Sequence, residues 1–461
     1  MIDSVLSPIA YALAWYAVAA AIGGLALTAS AAWLVFRHRR EYELSPDAGP
    51  PDGRTMPPVS VVLATSDDDA LIGERLDALG ALDYPAFEVV VVSNGPISPQ
   101  LARVMSRLQT KPVDLIYRPL IKTGRVTACY HSAAPLNLTV LEKERGTAAD
   151  AFNAGLNASR SPYVCLVELG AWLDRAALTR LMAPVMDDPE RVVLTAGIER
   201  VMNGCEFRDG DVVVAACPGR PAVAWQVLDG LRRAMLAIGA GPLLGAGVAP
   251  RSCVLVQKRE MLRVEGVPPN GGARDLAALA WSRPGLRSAI VSLPVAWAPV
   301  PLTLAGVAER HRADAAAALD ALRGLWRPCG RITHTGPAWR LIPLARGVRT
   351  VTPVLDVAAL AVATAGLGGG LVDFSWLLAV WFSVLVGRTA VSSAAILLHD
   401  LTPKRYPTPW DVCRLFLAAL LDPVLGRLLT AWWTLTAVWR RVPTPPAPSP
   451  EPQAAPVGLQ S

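Results

Sequence analysis

Three short polar segments follow apolar, β-branched runs, and together they predict a ligand site. The segments are residues 65–68, 93–95 and 168–170, which contain carboxylates, hydroxyls and an amide. Continuous apolar runs are typical of strands in a buried parallel sheet. Ligands of open α/β sheets bind outside the carboxyl ends of such strands. We therefore expect these polar side chains to meet at one edge of a sheet and to bind a ligand there.

A βαβ unit must position these segments, and its parts follow one another along the chain. The run VSVVLAT (59–65) precedes a stretch with leucine and isoleucine at helical spacing (70–82), and FEVVVVS (87–93) comes next. This alternation predicts an α/β fold with a parallel sheet. The elements that continue it are the strand LNLTVLE (136–142), the helix ADAFNAGLNASR (149–160) and the strand YVCLVEL (163–169).

Three long apolar runs predict a multi-pass membrane protein. The first extends from about 5 to 36 and is followed by four basic residues at 37–40. About 20 apolar residues suffice to span a bilayer, and basic flanks stay on the cytoplasmic side, so residue 37 onward is expected in the cytoplasm. Two further runs, at about 351–372 and 374–398, are joined by a turn without lysine or arginine, as an external loop should be.

Charges interrupt the C-terminal apolar segments. Arg388 lies in the third run, where an arginine is a functional candidate, although packing against Asp373 or a lipid phosphate explains it equally well. For 410–441 we expect two amphipathic helices in the cytoplasmic interface, broken at Pro423, rather than a span. The expected organisation is a transmembrane helix with a basic flank (1–40), a cytoplasmic domain (41–350), two transmembrane helices (351–405), interfacial helices (406–441) and a Pro-rich disordered tail (442–461).

The composition agrees with a membrane protein that has a large folded domain. The chain has 461 residues, of which 52% are hydrophobic and 18% charged, and these values exclude a disordered chain. Its 14 tryptophans suggest anchoring at a membrane interface. The net charge of +6 is mild, and we expect no nucleic-acid partner. The seven cysteines include no CxxC pair, which argues against a disulfide framework or a zinc site.

Longer motifs recur in a characteristic order along the chain. They are PPVSVVLATSDDD (57–69), LDYPAFEVVVVSNG (82–95), LTVLEKERGTAADAFNAGLNASRSPYVCLVELGAWLD (138–174), GAGVAPRSCVLVQKREMLRVEGV (245–267), GGARDLAAL (271–279) and ERHRADAAAAL (309–319). With the flanking membrane runs, they resemble membrane-bound family-2 glycosyltransferases, most of all processive synthases and ceramide-glucosyltransferase-like members. The resemblance covers about residues 5–441. It implies a GT-A nucleotide-diphospho-sugar transferase domain, with a mixed, mostly parallel sheet, flanking helices and transmembrane helices.

Several catalytic motifs of that family are degenerate in this chain. The family's Asp-x-Asp triplet is Glu168-Leu169-Gly170, and its Glu-Asp pair is Arg274-Asp275. Further departures are Ser93 in place of the carboxylate after the second strand, Thr147 in place of the lysine after the glycine, and 309–313 in place of Gln-x-x-Arg-Trp.

The residues that remain have roles that the resemblance implies. Glu168 would coordinate Mg²⁺ or Mn²⁺, which prefer hard oxygen ligands. Asp275 would be the general base, and a cation at Arg274 could replace part of the metal's charge. The nucleotide-binding residues would be Thr65 and Asp68 at the base and ribose, Asn94 at the uracil or ribose, and Arg312 at the leaving diphosphate.

Each of these residues also has a structural interpretation. Glu168 could be a solvated carboxylate at a strand end, and Asp275 could cap a helix over 276–281. The run 67–69 is expected to be a solvated loop and helix N-cap. Residues 310–312 could form a basic patch that faces the membrane.

Two functions follow from the resemblance. The first is a glycosyltransferase-like protein of the cytoplasmic (inner) membrane, which transfers a sugar from a nucleotide-sugar donor to a lipid or polysaccharide acceptor. The second is a catalytically degraded homologue that acts as scaffold or regulator for a partner glycosyltransferase or export protein in envelope glycan assembly. A lipid- or polymer-handling protein without nucleotide chemistry ranks third. All three place the chain among membrane lipids.

Overall fold

The computed structural model describes most of the chain in twelve stretches. They are residues 3–44, 56–65, 69–114, 119–208, 211–214, 219–244, 252–267, 276, 285–326, 338–370, 373–400 and 408–440.

Twelve strands occur in the described residues, and ten of them form one sheet. The strands are β1 (Val59–Thr65), β2 (Phe87–Asn94), β3 (Lys111–Pro112), β4 (Val126–Ser132), β5 (Leu138–Lys143), β6 (Tyr163–Val167), β7 (Trp172–Leu173), β8 (Val192–Val201), β9 (Glu206–Arg208), β10 (Asp211–Val214), β11 (Cys253–Gln257) and β12 (Arg287–Ala298). The order in the sheet is β3-β4-β5-β2-β1-β6-β11-β8-β12-β7, and β9 and β10 pair separately.

The large sheet is mixed and mostly parallel, as expected. Its centre, β5-β2-β1-β6, is parallel throughout. Because β11 is antiparallel to both β6 and β8, strand β8 runs in the same direction as β6, and β12 is parallel to β8. The carboxyl ends of β5, β2, β1, β6 and β8 therefore lie at one edge of the sheet.

Helices cover the sheet and continue into a bundle of long apolar helices. They are α1 (Asp3–Leu44), α2 (Ile72–Gly80), α3 (Pro99–Arg107), α4 (Ala148–Ala158), α5 (Ala177–Asp187), α6 (Pro221–Leu244), α7 (Lys258–Arg263), α8 (Leu304–Trp326), α9 (Ala338–Gly368), α10 (Phe374–Trp381), α11 (Arg388–Asp400), α12 (Pro409–Leu421) and α13 (Arg427–Arg440). Two π-helical segments, Phe382–Gly387 and Asp422–Gly426, connect α10 to α11 and α12 to α13.

The central strands are mostly apolar because helices cover both faces of the sheet. Successive side chains of a strand point to opposite faces. Val61 packs in a cluster with Leu76 of α2, whereas Val62 packs in a second cluster with Phe152 of α4. Helix α4 approaches β1 closely at Gly155, where a Cβ atom would come within 2.2 Å of Val62 Cγ1.

Three helical segments of the described chain are long and apolar enough to cross a membrane. They are Pro8–Arg37, Thr350–Gly368 and Phe374–His399. Alanines such as Ala14 and Ala359 form the buried contact between α1, α9 and α10, and small residues allow membrane helices to approach closely. These segments are compatible with the expected membrane association.

Helix α6 joins the sheet to this bundle. It packs on β8 and β12 and also contacts α1, α11 and α12. At Gly239 a Cβ atom would come within 2.1 Å of the Leu27 carbonyl oxygen, and the Ser30 hydroxyl donates to the Gly239 carbonyl at 3.0 Å. The backbones of α1 and α6 are therefore in direct contact.

The C-terminal helices continue through the expected break. At Pro423 the backbone forms the π-helical segment Asp422–Gly426 and continues as α13. A π-helical turn lets the chain absorb the missing proline N–H without ending the helix. A stripe of large apolar side chains is exposed along this length: Trp410, Leu417, Leu420, Leu421, Val424, Leu425, Leu428, Leu429, Trp432, Leu435, Val438 and Trp439.

Candidate functional site

The structure brings three of the six predicted site residues to the same edge of the sheet. Thr65 ends β1, Asn94 ends β2, and Glu168 directly follows β6. These strands are parallel neighbours in the order β2-β1-β6. The predicted residues Asp68 and Asp275, together with Arg274, lie outside the described residues. We call the carboxyl ends of β1, β2, β5, β6 and β8 the strand-end site.

A buried ion pair holds the β1 end of the site. Arg75 Nη1 lies 2.5 Å from Asp69 Oδ2, with side chains 2% and 5% exposed. The Thr65 hydroxyl donates to the same carboxylate oxygen at 3.3 Å, and Arg75 Nη2 donates to the Glu168 carbonyl at 3.5 Å. Burial lowers the pKa of Arg75, and Asp69 opposes that shift. The pair therefore ties β1, α2 and the turn after β6 together.

This pair corrects one expectation from the sequence. Asp69 is not part of a solvated loop, since it is 3% exposed. It is not the N-cap of α2 either, because that position is Leu71. The Asp69 carboxylate is buried because it pairs with Arg75, which lies about one turn into α2. No pattern in the sequence indicated this pair.

The β2 end of the site is closed by contacts within the chain. Asn94 Oδ1 accepts from Gly146 N at 2.8 Å and from Lys143 Nζ at 3.2 Å, and Nδ2 donates to the Gly146 carbonyl at 2.8 Å. Lys143 also pairs with Asp150 at 2.5 Å, with its own side chain fully buried. The Thr147 hydroxyl accepts from Asp150 N at 3.2 Å and caps α4. The Asn94 amide thus shapes the loop before α4.

Glu168 begins a tight turn that depends on glycine. Glu168 N donates to the Ser252 carbonyl at 3.0 Å, and Ala171 N donates to the Glu168 carbonyl at 3.1 Å. Gly170 has φ +80°, a left-handed conformation that glycine adopts without steric cost. The half-buried side chain of Glu168 lies at the sheet edge, whereas Gly170, the third residue of the triplet, forms the turn.

Arg310 of α8 interacts electrostatically with Glu168. Burial lowers the pKa of Arg310, while the carboxylates of Glu199, Glu168 and Asp229 raise it and Arg233 lowers it further. Glu199 lies near the end of β8, at the same edge as Glu168. The pattern of residues in the sequence did not distinguish Arg310 from its neighbours, because its proximity to Glu168 and Glu199 depends on the tertiary fold.

Arg312, the predicted diphosphate ligand, contacts a different part of the molecule. Its Nε donates to Thr436 Oγ1 at 3.4 Å, and His311 Nε2 lies 3.2 Å from Thr434 Oγ1. Both partners belong to α13. Residues 311 and 312 therefore join α8 to the C-terminal helix, whereas residue 310 interacts with charged groups of β8, α6 and the turn after β6.

No cluster of metal ligands is present among the described residues at this edge. They contain no group of three or more His, Cys, Asp or Glu side chains that could hold a metal ion. Glu168 and Glu199 supply hard oxygens. Their negative charges, however, oppose the lowering of the Arg310 pKa, so the guanidinium is within electrostatic range of both carboxylates. A positive group in that position competes with Mg²⁺ or Mn²⁺ and favours an anionic ligand. The predicted metal role of Glu168 stays a prediction.

Comparisons with known proteins give structural likenesses at low identity. No protein-family model matches the chain, and no match was found among curated proteins. A mannosyltransferase from Pyrobaculum calidifontis, solved with GDP-Man and Mn²⁺, is 19% identical with a TM-score of 0.48 and covers 91% of this chain and 99% of its own.

Two further solved structures show a similar degree of likeness. S. aureus TarS 1–349, in complex with UDP-GlcNAc, is 13% identical with a TM-score of 0.36, over 80% of this chain and 92% of its own. Glucosyl-3-phosphoglycerate synthase from Mycobacterium tuberculosis, with Mn²⁺, UDP and phosphoglyceric acid, is 17% identical with a TM-score of 0.35, over 58% and 79%. At these identities and TM-scores the likenesses do not indicate a substrate or an activity.

Proposed function

We propose that the chain is an inverting, membrane-bound glycosyltransferase that moves a sugar from a nucleotide-sugar donor to a lipid or polysaccharide acceptor. The observation that carries this proposal is the meeting of Thr65, Asn94 and Glu168 at one carboxyl edge, with Arg310 in the field of Glu168. Open α/β sheets bind ligands at this edge. A guanidinium there suits an anionic diphosphate, to which it donates paired hydrogen bonds.

The proposed reaction is a single displacement at the anomeric carbon of the donor sugar. The acceptor hydroxyl oxygen forms a bond to that carbon, and the bond from the carbon to the diphosphate oxygen breaks. Asp275 takes the hydroxyl proton as general base, and the bonding electrons leave with the nucleoside diphosphate. Arg310 offsets the charge that develops on the leaving group, in place of the metal that the family normally uses.

A nucleotide-release assay on the full chain in detergent tests the activity. Release of UDP or GDP from a panel of nucleotide sugars should fall about 100-fold or more in Asp275→Asn, since a positioned general base contributes about 10²–10⁴-fold. Glu190→Gln, which changes an exposed carboxylate, is the matched control and should retain activity. Equal turnover in Asp275→Asn and the unchanged protein would remove Asp275 from the mechanism.

A second candidate function is the degraded homologue that serves as a scaffold or regulator. The contacts of Asn94 favour it, because three hydrogen bonds commit this amide to Lys143 and Gly146. This candidate predicts no binding of any sugar nucleotide. It also predicts that a glycosyltransferase or export protein copurifies with the chain from native membranes, whereas an active enzyme would bind donor alone.

We also propose that the sheet domain lies in the cytoplasm and that α12 and α13 lie along the inner face of the membrane. The basic residues after the first apolar run support this orientation, and the exposed apolar stripe of α12 and α13 supports interfacial contact. A reporter protein fused after residue 461 should be active only if it is of the kind that functions in the cytoplasm. A periplasmically active fusion there would contradict the orientation.

A further inference from the structure

One buried carboxylate joins all three candidate membrane spans. Asp356 of α9 is 1% exposed, and Arg388 Nη2 donates to its Oδ1 at 3.0 Å and lies 2.9 Å from its Oδ2. The Tyr16 hydroxyl of α1 donates to Oδ1 at 3.2 Å. Charged groups inside a membrane bundle are costly and mark functional positions. Arg388 is thus paired with Asp356, which lies 32 residues before it in sequence, and not with Asp373.

A second guanidinium approaches the same carboxylate from α13. Arg427 Nε lies 3.5 Å from Asp356 Oδ2, so two arginines share one carboxylate. A further carboxylate of this region, Asp422, is itself matched by Arg232 at 2.6 Å and by the indole N–H of Trp225 at 2.6 Å, and Asp229, which also contacts Arg232, is matched by Arg233 at 3.1 Å. The group formed by Asp356, Arg388 and Arg427 therefore carries a surplus of one positive charge.

Arg427 is buried without full compensation. The residue is 9% exposed, and its Nε makes no hydrogen bond in the described part of the chain. A buried charge of this kind is unfavourable unless it is paired and hydrogen-bonded. An anionic group that reached this position would supply both the charge and the acceptor.

An apolar groove is lined by residues of the same helical segments that carry these arginines. It has a volume of about 420 Å³, within the range of roughly 300–1,000 Å³ that is usual for ligand pockets. Arg388 directly precedes the lining residue Thr389, and Arg427 lies four residues after the lining residue Pro423. The lining residues are Leu385, Val386, Thr389, Ala390, Ser393, Leu420, Pro423 and Val424.

Both π-helical segments contribute to this groove. Leu385 and Val386 belong to the first segment, Phe382–Gly387, and Pro423 and Val424 belong to the second, Asp422–Gly426. Such segments are rare and occur frequently at functional sites. The rim is open to the surroundings of the bundle, since Val386, Leu420 and Val424 are 42–64% exposed. In a membrane those surroundings are lipid chains.

We propose that the groove holds one acyl chain of an anionic phospholipid, with the lipid phosphate at Arg388 and Arg427. The surplus positive charge selects the anionic headgroup, and the apolar lining accepts the chain. The bound lipid fastens α12 and α13 to α11 and so holds the C-terminal helices against the spans. This site is separate from the strand-end site and does not depend on glycosyl transfer.

Native mass spectrometry of the full chain in detergent micelles tests the site with phosphatidylglycerol and phosphatidylcholine as probes. We expect one phosphatidylglycerol molecule to be retained about tenfold more strongly than phosphatidylcholine. Ala390→Phe should abolish this preference, because it fills the groove and leaves both arginines in place. The matched control is Ala26→Phe, at an exposed alanine of α1 outside the groove, and it should retain the preference.

Arg427→Gln gives an independent reading of the charge. It should reduce retention of phosphatidylglycerol while retention of phosphatidylcholine stays unchanged, and Arg427→Lys should restore part of the difference. Equal retention of the two lipids by the unchanged protein would overturn the proposal. So would displacement of the lipid by inorganic phosphate alone, or a dimer that excludes lipid from the groove.

Discussion

Replacement of Arg75 by methionine is expected to destabilise the sheet domain by several kcal/mol. The Arg75–Asp69 ion pair is 2.5 Å long and almost fully buried, so the variant leaves a buried carboxylate without its cation. Removal of one partner of such a pair costs about 3–5 kcal/mol. Because the Thr65 hydroxyl still donates to Asp69, we expect a loss of about 3 kcal/mol, at the lower end of that range.

Arg107→Met is the matched control for this prediction. Arg107 pairs with Asp77 at a similar distance, 2.6 Å, but the two side chains are 53% and 57% exposed. Exposed pairs contribute about 0–1 kcal/mol. The two variants make the same chemical change, so their difference isolates the effect of burial.

Urea unfolding of the purified chain, followed by near-ultraviolet circular dichroism, measures both variants. At an unchanged slope, the shift of the midpoint gives the change in the free energy of unfolding. Arg75→Met should lower that free energy by about 2–3 kcal/mol more than Arg107→Met. Equal losses in the two variants would refute the assignment of Arg75 and Asp69 as a buried, structurally essential pair.

Two further predictions concern packing and pH. Gly155→Ala places a Cβ atom 2.2 Å from Val62 Cγ1, and it should lower the free energy of unfolding in urea by about 1–3 kcal/mol. The control is Gly230→Ala in α6, where there is open space for a Cβ atom. This variant should raise the free energy of unfolding by up to about 1 kcal/mol. Burial favours a higher pKa for Asp422, but Arg232 and its other partners hold the pKa below its usual 3.8. Its stabilising effect is therefore complete above pH 3.8 and declines as the pH falls below that value. Thermal unfolding of the unchanged protein should show this decline, and Asp422→Asn should be less stable at neutral pH and should not show it.

The strands and the first helices could be predicted from the sequence because their signals are local. The runs that contain β1, β2 and β6 are mostly apolar, and both faces of those strands are buried. The edge at which Thr65, Asn94 and Glu168 meet follows from the direction of these strands. The limits of the helices differ by one or two residues, as for α4, expected over 149–160 and found over Ala148–Ala158.

The pairs that complete each site could not be predicted, because they join residues that are distant in sequence. Asp356 and Arg388 are 32 residues apart, and their contact depends on how α9 packs against α11. The sequence shows Lys143 only as a lysine at the end of a strand. In the structure its side chain is fully buried and pairs with Asp150. Arg310 and Arg312 differ in role only because neighbouring positions of α8 face different elements.

The most direct test of the proposed donor site is calorimetric titration of the full chain with UDP and GDP, with and without Mn²⁺. We predict binding without metal. Arg310→Gln should weaken it about 10–100-fold, because a charged hydrogen bond contributes about 1.5–3 kcal/mol, and Arg312→Gln should weaken it much less. Absence of binding to either nucleotide, or binding that requires Mn²⁺ and is unaffected in Arg310→Gln, would contradict the proposed role of Arg310 at the strand-end site.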